Sequence, residues 1–552
     1  MLGVSAPAAE TPPVTLPPFL VEETTQPLPW RHADVAGLEV LSTCPDRLTR
    51  ELIANHHRLH ALLAELVPAE LQPRTTQKRL LLFVDSTRQP PTSQEIVARM
   101  ALTAAEQERF DAATAPVEDG RLRRRAPPPR YTFLPNLRLS DRDAHALFAT
   151  VSAREYDASR IALTPEYVAQ MLRQRLPELP PWYVSGVLTL FGRARFTDDA
   201  LIVEPVDWPA ESASAALRGG AGAYRDPLPF GAFFAGDLAA GAEALPLWQA
   251  QAALFVHWGL AGRGAEGRAA FTRFVTRATT EAVTEALFRD CLGLDFTAAL
   301  KELAGHIPAA TRERLVLQPA QRPRLPDYEL RPASEVDIAR LKGDWERLEI
   351  PFVQAQFPAL TAKYIEQARR TLRRAYDRGS RDPQLLAVMG LCEVDAGNDA
   401  GAREFLEAAA SRDPAPRPRA AYELARLRFA ALRSGAATSA PLTPAQARTV
   451  LAPLASARAQ EPPLVEVYTL MADVWSVSAE RPTREELAVL EAGVRLFPRE
   501  APLVLRTAEL NVRQGNVDAA RWLINLGLTL APDDAGRRPF TELQGRMEAV
   551  PR

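Results

Sequence analysis

Apolar residues recur along most of this chain at the three- and four-residue spacing of amphipathic helices, and short continuous apolar runs interrupt that pattern in the first part. Residues 45–66 predict a long amphipathic helix. The runs at 38–41 and 80–84 predict strands, the second of them buried and bounded by charged and turn residues. The last third of the chain predicts helices only. The pattern therefore indicates strands and helices in the first part of the chain, followed by an all-α second part.

Further elements are predicted between residue 130 and residue 310. Residues 131–139 predict a strand, and the polar residues 140–143 are typical of a helix cap, so a helix is predicted over 144–151. Residues 207–245 are rich in Ala and Gly and predict a long connection. The remaining predicted elements are a strand over 201–205 and helices over 165–176, 182–191, 247–260, 282–293 and 295–306.

Residues 164–196 contain two short motifs on neighbouring predicted helices, separated by the proline-rich sequence LPELPPW. The first motif is Pro165-Glu166-Tyr167-Val168-Ala169, and the second is Trp182-Tyr183-Val184-Ser185-Gly186. Their frame resembles the active-site helices of gluzincin metallopeptidases over about residues 30–310. In that family the first helix carries H-E-x-x-H, whose histidines bind zinc and whose glutamate activates water. The second helix opens with a W-x-x-E-G-type motif, whose glutamate is the third ligand.

Carried over residue by residue, the resemblance implies an α+β domain of the thermolysin-like fold, with a small sheet and helices, and it argues against the activity. Pro165 and Ala169 stand at the two histidine positions, and Ser185 stands at the ligand glutamate. Proline and alanine side chains have no donor atom, and serine is a poor zinc ligand beside imidazole or carboxylate. Only Glu166, at the general-base position, survives, and without zinc there is no water of lowered pKa for it to deprotonate. No cofactor or metal is expected.

Glu166 also has a structural interpretation. Thr164 is a good N-cap, Pro165 suits the first helical position, and an acid in the first turn complements the helix dipole. The alternative to a non-catalytic domain is an active hydrolase or metallopeptidase with non-standard ligands. No spacing in the sequence supports such a set, for which the candidate donors are Glu155, Asp157, Glu166, His145 and His257.

The histidines have simpler interpretations than metal binding. His257 lies among Phe255, Val256 and Trp258, and we expect it to be packed in the core. His56 and His60 are one helical turn apart, but no nearby carboxylate or cysteine completes a metal set, so we expect a solvated helix face.

Composition excludes several classes of function. Lys and Arg total 66 against 68 Asp and Glu, a net charge of −2, which favours neither nucleic acid nor a membrane surface as partner. No apolar run approaches the ~20 residues that cross a membrane. The basic, Pro-rich residues 120–130 predict a solvated loop. The three cysteines are far apart and predict buried thiols: Cys44, Cys291 and Cys392.

The first residues bear on localisation. Residues 1–28 are rich in Pro, Thr and Glu and predict disorder. Ala6-Pro7-Ala8 before Ala9 is similar to a signal-peptidase site, so an exported, periplasmic or secreted protein is expected, with a cytoplasmic protein as the alternative.

Two stretches of the last third share small-residue and proline positions at offsets of 12, 7 and 5 residues. These positions are Gly390, Ala402, Ala409 and Pro414, and again Ala508, Ala520, Gly527 and Pro532. They resemble the tetratricopeptide repeat, a helix-turn-helix unit of about 34 residues in which small residues let the helices approach closely. The Gly-Asn pairs at 397–398 and 515–516 mark the turns between helices. Two weaker units are predicted over 417–462 and 464–498.

We therefore predict a disordered segment over 1–28, a degenerate gluzincin-like domain over 29–317, a linker over 318–333 and a repeat solenoid over 334–552. Helices within 334–380 are expected to dock the solenoid against the first domain. The functional hypothesis is a non-catalytic binding or scaffolding protein, with an unknown protein or peptide on the concave surface of the repeats. Two alternatives remain open: a solenoid that only braces the first domain, and an old cleft that holds peptides without cutting them.

Overall fold

The computed structural model describes residues 30–35, 37–74, 77–85, 136–151, 165–209, 224–235, 244–321, 324–413, 417–434, 440–531 and 533–548. The expected disordered segment 1–28, the basic loop 120–130 and the candidate donors Glu155 and Asp157 lie outside these residues. The side chains of Pro165 and Glu166 lie outside them as well. In the described part of the chain, no helix is long and apolar enough to span a membrane.

A six-stranded mixed sheet forms the core of the first part. Its strands are β1 (Arg31–Val35), β2 (Leu38–Ser42), β3 (Arg79–Asp85), β4 (Asn136–Ser140), β5 (His145–Val151) and β9 (Leu330–Pro332). The spatial order is β4-β5-β3-β2-β1-β9. The central strands β2, β3 and β5 are parallel, and the outer pairs are antiparallel. A second sheet of three short strands contains β6 (Ala194–Phe196), β7 (Leu201–Val203) and β8 (Leu315–Leu317).

The helices of the first part are α1 (Asp46–Leu66), α2 (Pro165–Arg173), α3 (Pro181–Gly192), α4 (Phe230–Ala235), α5 (Ala244–His257), α6 (Gly264–Arg277), α7 (Glu285–Leu292) and α8 (Phe296–Ala310). Those of the second part are α9 (Glu335–Gln356), α10 (Thr361–Asp377), α11 (Pro383–Asp395), α12 (Asp399–Ala410), α13 (Pro418–Arg433), α14 (Pro444–Arg458), α15 (Val465–Ser476), α16 (Arg484–Leu496), α17 (Ala501–Gln514), α18 (Val517–Leu530) and α19 (Asp534–Glu548). A π-helical turn, Trp258–Gly262, follows α5.

The helix predicted over 144–151 is wrong, because these residues form strand β5. Leu147, Ala149 and Val151 pack on the α1 side of the sheet, and Ala146 and Phe148 pack on the α9 side. A strand buried on both faces lacks the polar alternation that identifies a strand, so its sequence resembles a short buried helix. The residues predicted to cap that helix form the β4–β5 turn instead, in which Asp141 N donates to Ala144 O at 2.9 Å.

The linker predicted over 318–333 contains structure. Its residues 330–332 form β9, which pairs antiparallel with β1 and closes one edge of the sheet. The connection predicted over 207–245 likewise contains helix α4. Segments of three or six residues are too short to show a period, and contacts with distant strands or helices define them.

Helices α2 to α8 surround an aromatic cluster centred on Trp182 of α3. The indole is 3% exposed. Its aromatic neighbours are Tyr183, Phe233, Phe234, Phe255, Phe271 and Phe274. Gly186 of the same helix allows α3 to cross α5 closely, since a Cβ there would lie 2.4 Å from Ala252 O. The Trp and Gly of the second motif are therefore packing residues.

Within its described residues, the second part is an all-α solenoid of five stacked helix pairs and the closing helix α19. The pairs are α9–α10, α11–α12, α13–α14, α15–α16 and α17–α18. The first helix of each pair also packs against the first helix of the next pair. We call the surface lined by α9, α11, α13, α15 and α17 the first-helix face.

The small residues of the two strong repeats lie at helix crossings, as predicted. Ala402, Ala409, Ala508 and Ala520 are fully buried. A Cβ on Gly390 would lie 2.6 Å from Leu406 Cγ, so this glycine sets the close approach of α11 and α12. The helices predicted within 334–380 also dock as expected, because α9 packs its apolar residues on the sheet face opposite α1.

We predict that Gly186→Ala destabilises the protein by about 1–3 kcal/mol, because the added methyl group meets backbone atoms that cannot rotate away. Gly192→Ala, at the end of the same helix, is the matched control, since a Cβ there meets nothing within 4 Å. The control should leave stability unchanged or slightly raised. Urea unfolding followed by circular dichroism distinguishes the two, and equal effects of both variants would contradict the close crossing.

Candidate functional site

The predicted motif positions lie on two helices that pack together. Ala169 on α2 and Ser185 on α3 are both partly buried. The carbonyl oxygen of Ser185 accepts a hydrogen bond from Thr189 Oγ1 at 2.9 Å. In the described part of the chain, no group of three His, Cys, Asp or Glu side chains is placed to share a metal ion. The alternative ligand set is thus not assembled by the described residues.

The two candidate donor histidines that the structure describes lie in separate environments. His145 Nδ1 is 3.3 Å from Gln174 Nε2, and burial, aided by the positive charge of Arg79, lowers the pKa of His145 to about 4. His257 is buried, as expected, and its Nδ1 lies 2.9 Å from His306 Nε2. Burial, and then His306, lowers the pKa of His257 to about 4. Both imidazoles are therefore neutral near pH 7.

The solvated face predicted for His56 and His60 is wrong, because this side of α1 packs against α2. His56 is 2% exposed, and the two imidazole rings lie 4.5 Å apart. His60 Nε2 is 2.6 Å from the hydroxyl of Tyr167, the residue after Glu166. Arg79 of β3 donates from Nη1 to the same hydroxyl at 2.9 Å. A polar residue at the edge of a helix becomes buried when a second helix covers it. The hydrophobic periodicity of α1 alone does not indicate that α2 covers this side.

A small pocket opens beside this cluster, and we call it the Arg79 pocket. It lies between α2, β3 and the loop that precedes α15. The side chains that define it are Arg74, Arg79, His145, Tyr167, Gln174 and Pro462. None of its described lining residues is acidic.

Several buried ion pairs lie together where the β4–β5 turn meets the first-helix face. The side chain of Asp143 is completely buried. It accepts hydrogen bonds from Arg417 Nη2 at 2.6 Å and Nε at 3.2 Å, and from the backbone N–H of Arg419 at 2.7 Å. Arg417 also donates from Nη1 to Asp344 Oδ2 of α9 at 3.1 Å. The turn is thus tied to both α9 and α13.

Arg347 of α9 lies at the centre of the same network, with its side chain fully buried. Its Nη1 donates to Asp141 Oδ2 at 3.0 Å and to Asp395 Oδ2 at 2.9 Å, and its Nε donates to Asp344 Oδ1 at 2.8 Å. Arg419 binds the same two carboxylates, Asp141 and Asp395. Burial opposes ionisation here, but the adjacent arginines outweigh it and hold the pKa of Asp141 well below its usual range.

Between the two aspartates of the turn, Arg142 extends the contact to α13 and α15. Its Nε lies 2.9 Å from Glu466 Oε1, and its guanidinium lies over the ring of Tyr422 at 5.5 Å. We call residues Asp141, Arg142 and Asp143 with their arginine and carboxylate partners on α9, α11 and α13 the docking network. The first-helix face from α9 to α13 is therefore occupied by the chain's own first part.

Ion pairs continue the contact across the sheet. Arg340 of α9 binds both carboxylate oxygens of Glu39 on β2, and His32 Nε2 lies 3.2 Å from the same carboxylate. Burial raises the pKa of Glu39, but hydrogen bonds from Arg340 and His32 outweigh burial and lower the pKa to about 2. Arg331 of β9 donates to Asp337 Oδ2 at 2.7 Å.

Two neighbouring carboxylates, Glu346 and Glu349, are buried on α9. Glu349 accepts a hydrogen bond from Trp345 Nε1 at 2.7 Å, and its other oxygen has no partner among the described residues. Burial, and then the nearby Glu346, raises the pKa of Glu349 to about 8. Glu346 itself accepts hydrogen bonds from Lys342 and, at 3.0 Å, from Gln367. Glu349 is therefore mostly protonated at neutral pH.

Sequence reasoning missed the docking network. Bonded members of the network are separated by up to 281 positions, and residues 140–143 were interpretable as a local helix cap. The Arg-Pro-Arg sequence at 417–419 was the one available signal, since two arginines beside a helix start are unfavourable unless carboxylates meet them.

No family model matches the chain, and no curated protein matches it. Solved structures that resemble it include YrrB, described as a tetratricopeptide-repeat protein with an unusual peptide-binding site, at 12% identity. That match covers 38% of this chain and 92% of that chain, with a TM-score of 0.28. TTC0263, a tetratricopeptide-repeat protein of Thermus thermophilus, is 19% identical over 37% of this chain and 97% of its own, with a TM-score of 0.23.

PilF of Pseudomonas aeruginosa is 16% identical over 38% of this chain and 92% of its own, with a TM-score of 0.24. These TM-scores are too low to support the assignment of the solenoid. The assignment rests instead on the helix pairs and on the small residues at their crossings.

We predict that Arg417→Met costs about 3–5 kcal/mol in the free energy of unfolding, because it leaves the buried carboxylate of Asp143 short of its main partner. Arg538→Met removes an exposed arginine that pairs with Glu542 at 2.9 Å on α19, and it is the matched control. The control should change stability by less than about 0.5 kcal/mol. Denaturant unfolding of the full chain measures both, and a similar small effect of both variants would contradict the docking network.

We predict that Glu349→Gln raises the melting temperature at pH 8 and has a much smaller effect at pH 4.5. The folded-state pKa of about 8 exceeds the ordinary value of 4.5. The unfolded chain therefore ionises first as pH rises, and the native state loses stability between these two values. Glutamine cannot ionise and keeps an oxygen for Trp345. Glu485→Gln, at an exposed position on α16, is the control, and an equal shift at both pH values for Glu349→Gln would contradict the prediction.

Proposed function

We propose that the chain is a non-catalytic protein in which a gluzincin-like domain without metal ligands is held on a tetratricopeptide-type solenoid, and that it serves protein binding or scaffolding. The observation that carries the proposal is the pair α2–α3, two helices in contact whose motif positions hold Ala169 and Ser185. Neither side chain binds zinc as a protein ligand normally does. Pro165, at the remaining ligand position, has no donor atom.

In the second motif, the residues that match the family have packing roles, and the residue at the metal-ligand position does not match. Trp182 fills the centre of the aromatic cluster, and Gly186 permits the close crossing of α3 and α5. These two residues match the family motif, whereas Ser185 between them departs from it. A sheet with a helix between β2 and β3 precedes α2, which agrees with the order of elements expected for the family. The agreement supports a retained architecture and a lost metal site.

The docking network limits the part of the first-helix face on which a partner can bind. The first-helix face at α9, α11 and α13 is filled by the β4–β5 turn, and Arg142 of that turn also pairs with Glu466 at the start of α15. An unidentified protein or peptide partner therefore has the remaining part of that face, along the rest of α15 and α17. Exposed and partly exposed groups there include Arg506, Glu509 and Arg513. A second role is favoured by the same observation: the solenoid braces the first domain, because its buried arginines are neutralised by that domain.

Rebuilding the metal site tests the proposal. We predict that the triple variant Pro165→His, Ala169→His and Ser185→Glu binds stoichiometric zinc, because it restores three ligands on two adjacent helices. The matched control replaces Gln170 instead of Ala169 with histidine, which turns the imidazole by about 100° around the helix. The control should bind zinc weakly or not at all. Elemental analysis of the purified proteins gives the readout.

The unmodified chain should contain no stoichiometric zinc and should not cleave a mixed peptide library with zinc added. Stoichiometric zinc or zinc-dependent cleavage by the unmodified chain would favour the active metallopeptidase. Equal zinc binding by the triple variant and its control would show that α2 and α3 do not present these positions as gluzincin helices do.

A further inference from the structure

The Arg79 pocket has a composition that the proposed function does not explain. It lies against the helix that carries the first motif, and it also touches Pro462, in the loop between α14 and α15. An occupant would therefore contact both parts of the chain. Among the described residues that define the pocket, the polar groups are cationic or neutral and the carboxylates are absent.

Arg79 is the central charge of this pocket. It is partly buried, and its Nη1 is used by Tyr167 and by the ring of His60. Its Nε and Nη2 have no hydrogen-bond partner among the described residues, and no described carboxylate forms an ion pair with it. These N–H groups are not enclosed by protein, so they are open to an occupant of the pocket. The fork of N–H donors on a guanidinium matches two oxygens of one oxyanion.

The neighbours of Arg79 are arranged to accept a negative charge. Arg74 lies at the exposed rim and adds a second cation. Gln170 on α2 and Gln174 in the turn after α2 bring amide groups that can donate hydrogen bonds. The Nε2 atom of Gln174 lies 3.3 Å from His145 Nδ1. His145 is neutral near pH 7, so it lines the pocket as a polar group and adds no charge.

We propose that the Arg79 pocket binds a small oxyanion, either a carboxylate or a phosphate group, through the free edge of the Arg79 guanidinium with Arg74 and Gln174 in support. Both groups present two oxygens on one central atom, which is planar in a carboxylate and tetrahedral in a phosphate. The inference goes beyond the scaffolding role and holds whether or not the motif helices retain any catalysis, because none of the three residues is a motif position.

The test uses the full chain and two simple probes, inorganic phosphate and acetate, at constant ionic strength with chloride as the reference anion. Isothermal titration and thermal shift follow binding. A saturable response to phosphate alone indicates a phosphate-type ligand, and a response to acetate alone or to both indicates a carboxylate-compatible site. Each of these results supports the proposal, and a response no different from chloride overturns it.

Three variants locate the site. Arg79→Met should weaken binding about tenfold or more, because hydrogen bonds to charged groups are the strongest of the set. Arg74→Met should weaken it several-fold. Arg173→Met, at an exposed position on α2 outside the pocket, is the matched control and should leave binding unchanged.

Arg74 is exposed, so its variant is expected to fold even if Arg79→Met does not. Circular dichroism identifies a misfolded variant. If Arg79→Met misfolds, the affinities of Arg74→Met and Gln174→Leu for the anion test the proposal instead. Unchanged affinity in both of these variants, or equal loss in Arg173→Met, would place the anion elsewhere.

Discussion

The structure depends on charges that are buried where the β4–β5 turn meets α9, α11 and α13. Arg347 and Asp143 have no exposed side-chain surface, so each would carry a large desolvation cost if its partners were missing. The partners come from four separate segments of the chain. The network is therefore satisfied only when the turn and all three first helices are in place together. Such a network contributes little net stability compared with an apolar interface, but an arrangement that separated its members would leave buried charges without partners.

This constraint explains why the two parts do not divide at a simple linker. Helix α9 begins the solenoid, and its apolar residues, including Trp345, cover one face of the sheet. Strand β9, directly before it, belongs to that sheet. The first-helix face thus starts as an intramolecular interface that reaches Glu466 at the start of α15, and the first part leaves the face open only further along, on the rest of α15 and on α17. The bracing role and the binding role fall on different helices of one solenoid.

How far the sequence predicts this molecule depends on the range of the interactions. The solenoid was predictable because each repeat is defined by neighbours within about 34 residues, and glycines such as Gly390 mark the helix crossings directly. Strand β5 was mistaken for a helix because burial on both faces removes its alternating pattern. The docking network and the His60–Tyr167 contact join residues more than a hundred positions apart, and no local pattern indicates such pairs.

Hydrogen exchange of the full chain tests most directly whether the two parts form one unit. The backbone N–H of Arg419 lies in the first turn of α13, where helices leave such groups unsatisfied, and Asp143 is its acceptor. We expect the start of α13 and the β4–β5 turn to be protected, and both to exchange through the same opening as the core of α13. If both exchanged as fast as an unstructured peptide while the rest of α13 stayed protected, the docking network would not hold the two parts together in solution.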